Sequence, residues 1–109
     1  MTTPAVTPYF RCMADAVGPS IRLRLAGELS FGTAKTFVED AREPVSGADD
    51  VVVDLSRVSM IDRAGYHALR DVAAMVEQNG GSLSVVGANR RLRTVIEVVD
   101  PDGPIHFLV

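Results

Sequence analysis

A chain of 109 residues that is 47% hydrophobic and 23% charged can fill one core but not two, and no segment is polar enough to stay unfolded. Its formal charge of −3 has the wrong sign for a protein whose main task is coating nucleic acid. A single cysteine, Cys12, excludes an intrachain disulfide and a thiolate metal cluster; no apolar run is long enough to cross a bilayer, and the chain reads as cytoplasmic.

Residues 1–8 carry two prolines and three threonines without periodicity and read as a flexible leader, which leaves 9–109 as one domain. A short strand is expected over Tyr9 to Ala14, with a turn through Ala16-Val17-Gly18-Pro19. In Ser20 to Ala26, Ile21, Leu23 and Leu25 alternate with Arg22 and Arg24, the period of a strand with one buried face, and Gly27 is expected to end it. Thr33 is placed to cap a helix carrying Ala34, Phe37, Val38 and Ala41 on one side, with Pro44 as its stop.

Val51-Val52-Val53 and Leu55 form a nearly unbroken β-branched run, which predicts a central strand covered on both faces. A polar bend through Ser56 and Ser59 leads to Asp62, the expected cap of a second helix with Ala64, Ala68, Leu69, Val72, Met75 and Val76 as its buried stripe. Gly80-Gly81 ends that helix, and Leu83, Val85 and Val86 make the next strand. Asn89 caps a third helix with Leu92, Val95, Ile96 and Val99, broken at Asp100-Pro101, and Ile105 to Val109 closes the chain as a strand. Strands alternating with helices predict an α/β single domain: a mixed sheet of four to five strands, an antiparallel opening pair, parallel βαβ units and helices packed on the sheet.

Catalytic and cofactor signals are missing from the sequence. No Gly-x-Ser-x-Gly or similar context sets up a nucleophile, so the chain reads as a non-enzyme. His67 and His106 have no second ligand at metal spacing, and the glycines match neither phosphate-cradling fingerprint, so neither a metal nor a cofactor is expected. Arg90, Arg91 and Arg93 fall at helical spacing beside a buried stripe and read as a solvated face.

The segment Val51-Val52-Val53-Asp54-Leu55-Ser56-Arg57-Val58-Ser59-Met60-Ile61-Asp62-Arg63-Ala64-Gly65 resembles the signature of the STAS family of anti-sigma factor antagonists. Gly27-Glu28-Leu29, Thr33-Ala34 and Gly80-Gly81 look like further landmarks of that family in the same order, and the likeness runs from Tyr9 to Val109. It implies a STAS-like fold and a domain that works by binding protein. In the family the bend before the second helix usually reads Asp-Ser-Ser-Gly or Asp-Ser-Ala-Gly, and a partner kinase, itself the anti-sigma factor, phosphorylates the first serine. Here it reads Asp62-Arg63-Ala64-Gly65, so Arg63 stands at a degenerate phosphoacceptor position.

Two readings of Arg63 stay open. It either locks the domain in a state like the unphosphorylated, partner-binding form, or marks a domain that has left the kinase-controlled circuit. Ser30 follows Gly-Glu-Leu where the family commonly has Asp, a second departure on the same side. Ser56 and Ser59 are alternative phosphoacceptors, although serines in bends ordinarily serve hydrogen bonding.

The resemblance implies a partner-binding surface of Ser30, Ser59, Asp62, Arg63, Ala64 and Gly65. The implied partner is a bacterial anti-sigma factor with a kinase-like ATP-binding fold, sequestered so that a sigma factor is released; nucleic acid and membrane insertion are not implied, and a homodimer is left open. The alternative is an accessory subunit of an ABC-type or other transport assembly, since STAS-like domains without the serine are also found there. A small-ligand sensor is a third reading, and it needs a pocket the sequence does not show.

Overall fold

The computed structural model describes residues 9–108, so the expected leader over residues 1–8 lies outside the described residues, as does Val109. The first two strands, β1 (Phe10–Val17) and β2 (Ser20–Leu29), form an antiparallel hairpin in register from Phe10 opposite Gly27 to Val17 opposite Ser20. β1 passes its expected end at Ala14 because the turn needs only Gly18 and Pro19. Then follow α1 (Ala34–Val45), β3 (Asp50–Ile61), α2 (Arg63–Gln78), β4 (Ser82–Val86), α3 (Arg90–Val99) and β5 (His106–Phe107). The five strands lie in sequence order, parallel from β2 onward, which is the mixed α/β sheet expected.

Gly27 does not end β2. Its φ of 96° lets the strand bulge, and a side chain there would run into the carbonyl of Tyr9. Pairing with β3 resumes beyond the irregularity and continues to Leu29 opposite Ile61.

Because each parallel neighbour is reached by a crossover of the same hand, the helices stack on one face of the sheet, α1 against α2 and α2 against α3. Leu23, Leu25, Val51, Val53, Leu55, Leu83 and Val85 bury that face beneath Phe37 and Ala41 of α1, Leu69, Val72 and Val76 of α2, and Leu92 and Ile96 of α3. Each large side chain sealed there contributes about 1.5–3 kcal/mol of transfer free energy.

The other face is uncovered. Arg22, Arg24, Ser56 and Arg57 are exposed on it, and Val52 and Asp54 are half-buried, so β3 is covered on one face and not on both. The Val51-Val52-Val53 run suits the pleated backbone whichever way Val52 faces, which is why composition misled here. The bend expected at Ser56 is likewise absent: Ser56 and Arg57 reach water across the open face while β3 runs on to Ile61. At the far edge His106 and Phe107 pair with β4 and the Leu108 N–H donates to the Val85 carbonyl at 2.7 Å, while Pro104, lacking an N–H, cannot extend the ladder the other way.

On the open face Asp15 pairs with Arg24 at 2.7 Å and Asp54 with Arg22 at 2.8 Å. Partial burial pulls the Asp54 carboxyl upward, but hydrogen bonds from Arg22 and Ser56, with the charge of Arg22, outweigh it and hold the group below its ordinary value. Cys12 is inert by contrast: partial burial, reinforced by Asp40, pushes its thiol up to about 11 and keeps it protonated at neutral pH. Among the described residues no helix is long and apolar enough to cross a membrane.

Tyr66, absent from the expected stripe of α2, is fully buried and ties that helix to the end of α3. Its hydroxyl donates to Asp100 Oδ2 at 2.7 Å, and Arg70 Nη1 reaches the same oxygen at 3.2 Å. Burial first, and then the bond to Asp100, pushes the phenol up from 10.0 to about 12. With the folded value raised above the unfolded one, the stability Tyr66 supplies is complete below pH 10 and is lost as pH climbs through about 12. Urea melts across that range should show a fall in the wild type that Tyr66→Phe removes. At neutral pH the same substitution should cost about 1.5–3 kcal/mol, the range for a hydrogen bond to a charged acceptor.

Candidate partner-binding site

Between the last residue of β3 and the first of α2 stands Asp62, extended at φ −119° and ψ −175°, the conformation of a helix N-cap. Its Oδ1 accepts the N–H of Gly65 at 2.8 Å, as the sequence predicts for a cap. Its Oδ2 accepts the N–H of Phe31 at 3.0 Å, a bond to a different element. The Asp62 N–H donates to the Leu29 carbonyl at 3.3 Å, so one residue fastens the end of β2, the loop after it and the start of α2. Gly65 permits this approach: a side chain at that position would collide with the Leu29 carbonyl.

The loop folds around Thr33, which does not cap its own helix as expected. Its hydroxyl donates to the Glu28 carbonyl at 2.6 Å and accepts the Ser30 N–H at 3.0 Å, closing the turn from inside. Ser30 is consequently buried, at 6% exposure, while its neighbour Phe31 is turned outward at 84%. The sequence reading names Ser30 and passes over Phe31; a lone aromatic beside Gly32 in an otherwise polar turn was the available signal.

Of the six residues expected to form the surface, Asp62 and Gly65 build the junction. Ser30 packs beneath it, and Ala64 is half-buried. Ser59 and Arg63 face solvent, Ser59 with its hydroxyl donating to the Gly27 carbonyl at 3.3 Å. Asp62 does not neutralise Arg63: no carboxylate lies within 4.0 Å of that guanidinium among the described residues. A cation in the first turn opposes the helix dipole by about 0.3–1 kcal/mol, a penalty the cap can offset. Ser56 is not at this junction; its N–H donates to Asp54 at 2.9 Å on the uncovered face.

Beside the junction, α1 and α2 leave a shallow groove of about 480 Å³ with Ala34, Val38, Ala64 and Ala68 as its apolar lining and Lys35, His67 and Asp71 as its polar lining. Phe31 and Arg63 precede or open the two helices that form it, so the exposed ring, the unpaired guanidinium and the groove belong to one end of the molecule. Nothing in this arrangement pairs a nucleophile with a base.

Comparison with known families finds a match over residues 12–109 to a model described as "Mlab, STAS domain". Solved structures share the fold at low identity. An anti-sigma factor antagonist from Mycobacterium paratuberculosis is 19% identical with a TM-score of 0.76, over 90% of this chain and 86% of that one. The Bacillus anti-sigma factor antagonist SpoIIAA in its unphosphorylated form is 17% identical with a TM-score of 0.69, over 91% of this chain and 88% of that one. The murine anion transporter Slc26a9 is 20% identical with a TM-score of 0.72, over 85% of this chain but 16% of that one. No curated protein matches the chain.

The double bond made by Asp62 sets a graded expectation. Asp62→Ala removes both acceptors and should destabilise the domain by about 1–2 kcal/mol, as loss of a strong cap does. Asp62→Asn keeps one acceptor oxygen and should fall between the two. Equal stability of all three proteins in urea melts would mean that the junction is not held through this carboxylate.

Proposed function

Because the chain belongs to the STAS domain family, we propose that it is a regulatory adaptor that binds a protein partner through the junction of β3 and α2 and performs no chemistry of its own. The observation that carries this is that Asp62, both of whose oxygens accept backbone N–H groups, fastens the loop bearing the exposed Phe31 to the start of α2, where Arg63 has no carboxylate within 4.0 Å among the described residues. Phenylalanine and arginine are both enriched at protein interfaces relative to the rest of the surface. The partner such a surface suits has an acidic group for Arg63 and an apolar socket for Phe31.

By likeness to anti-sigma factor antagonists of the same fold, that partner is an anti-sigma factor with a kinase-like ATP-binding fold, sequestered in a cytoplasmic complex so that a sigma factor is released. Arg63 has no hydroxyl to phosphorylate, so control in this reading comes from the amount of the protein or from competition for its partner. Ser59 remains exposed a few residues away, but its hydroxyl is turned to the Gly27 carbonyl.

A second reading is favoured by the fold shared with part of an anion transporter: an accessory subunit of a transport assembly, using the same surface. Capture from native extract with wild type, Arg63→Glu and Phe31→Ala separates the two. The adaptor reading expects a kinase-like anti-sigma factor bound by wild type and lost by at least about tenfold with either variant, since hot-spot truncations exceed the 1.4 kcal/mol that a tenfold change requires. Capture of a transport ATPase instead would establish the second reading, and binding unchanged by both variants would sink the proposed surface.

A further inference from the structure

The uncovered face of the sheet holds a concavity of about 230 Å³ that the partner-binding reading leaves unused. Ala26 is in its floor. In register, Arg11 of β1 lies opposite Ala26, and Ala26 lies opposite Arg57 of β3, so two arginines rise on either side of a methyl group. With strands about 4.8 Å apart, their Cα atoms are separated by roughly 10 Å, a distance that two long side chains can close over a small anion.

The backbone is shaped for this. Pairing between β2 and β3 slips between Arg24 and Ala26, a bulge of the kind that re-aims side chains next to binding sites. Gly27 lets the chain at Tyr9 come close, the Glu28 N–H donates to the Tyr9 carbonyl at 2.9 Å, and the Tyr9 side chain stands at the rim, 61% exposed.

Charge on this face is unevenly matched. Arg24 is held by Asp15, and Asp54, which also lines the concavity, is occupied by Arg22 at 2.8 Å and the Ser56 N–H at 2.9 Å. Arg11 and Arg57 have no carboxylate within 4.0 Å among the described residues, and residues 1–8 contain neither Asp nor Glu. Two uncompensated guanidinium groups thus flank one hollow on a chain whose net charge is −3.

We propose that Arg11 and Arg57 clasp the phosphoryl group of a small phosphomonoester above Ala26, with the Tyr9 ring against its organic part. A phosphate has three outward oxygens and can serve two arginine forks at once, whereas a carboxylate has two in one plane and satisfies one fork. The size of the hollow suits one phosphate with a compact substituent, and the acidic chain as a whole is unsuited to a polyanion.

The test is an NMR titration of the full chain with phenyl phosphate and, separately, inorganic phosphate. Saturable shifts centred on the amides of Arg11, Ala26 and Arg57 are expected, with phenyl phosphate the tighter ligand. Arg11→Gln with Arg57→Gln should weaken binding by at least about tenfold, the equivalent of losing one charge-assisted contact. Ala26→Leu, which keeps both charges and fills the floor, should weaken it similarly; Arg90→Gln with Arg91→Gln on α3 should leave it unchanged. Shifts centred on Arg63 or on α3 would overturn the proposal, as would affinity unaffected by filling the floor. Equal affinity for the two phosphates would overturn the part assigned to Tyr9.

Discussion

Asp62 accepts two backbone N–H groups from different elements, Phe31 in the loop after β2 and Gly65 in the first turn of α2, and the shape of that end of the molecule depends on it. A serine or threonine can cap a helix, but a carboxylate offers two acceptor oxygens and no donor, so it can hold both groups without an unfavourable contact. The bond works only because Gly65 lets α2 lie against the Leu29 carbonyl. Two consequences follow from the same geometry: the loop that carries Phe31 is fixed against the start of α2, and both Asp62 oxygens are engaged by backbone N–H groups while no carboxylate lies within 4.0 Å of Arg63 among the described residues.

The topology imposes a second asymmetry. Sequential parallel strands linked by crossovers of one hand place all three helices on one side, so the apolar residues of β2, β3 and β4 are buried on a single face and the intervening positions meet solvent. On that open face two of the arginines are paired with aspartates, Arg22 with Asp54 and Arg24 with Asp15 of β1, in pairs which at this exposure contribute little stability. What they do is decide which cations remain available. Arg22 and Arg24 are taken, and among the described residues Arg11 and Arg57 are not.

Most of the fold was legible because its signals are local. The alternation of Ile21, Leu23 and Leu25, the helical stripes, and the caps at Asp62 and Asn89 each follow from neighbours a few residues away, and both caps make the expected bonds. The errors lie where a distant element decides. Gly27 reads as a strand end but is a bulge, because Tyr9 has to pass close to it; Val52 reads as buried, but no helix crosses that side. The site divides in the same way: Asp62 and Arg63 stand out in the sequence, whereas the exposure of Phe31 depends on the Thr33 hydroxyl turning back to Glu28. The row of Arg11, Ala26 and Arg57 could not be read at all without the register of three strands.

Position 63 can vary independently of the junction in which it stands. The cap bond runs from Asp62 to the N–H of Gly65, and the close approach to β2 needs only the missing side chain of Gly65. The side chain at position 63 enters neither, since it points to solvent from the first turn. A serine there could be phosphorylated and would place a dianion where the helix dipole and backbone N–H groups favour it. An arginine fixes a positive charge at the same point, reinforcing the positive end of the helix toward anything that approaches. Neither contact involves the side chain at position 63, so the junction does not depend on which residue stands there, and in the proposed reading the charge at the start of α2 is a constant to which a partner has to be complementary.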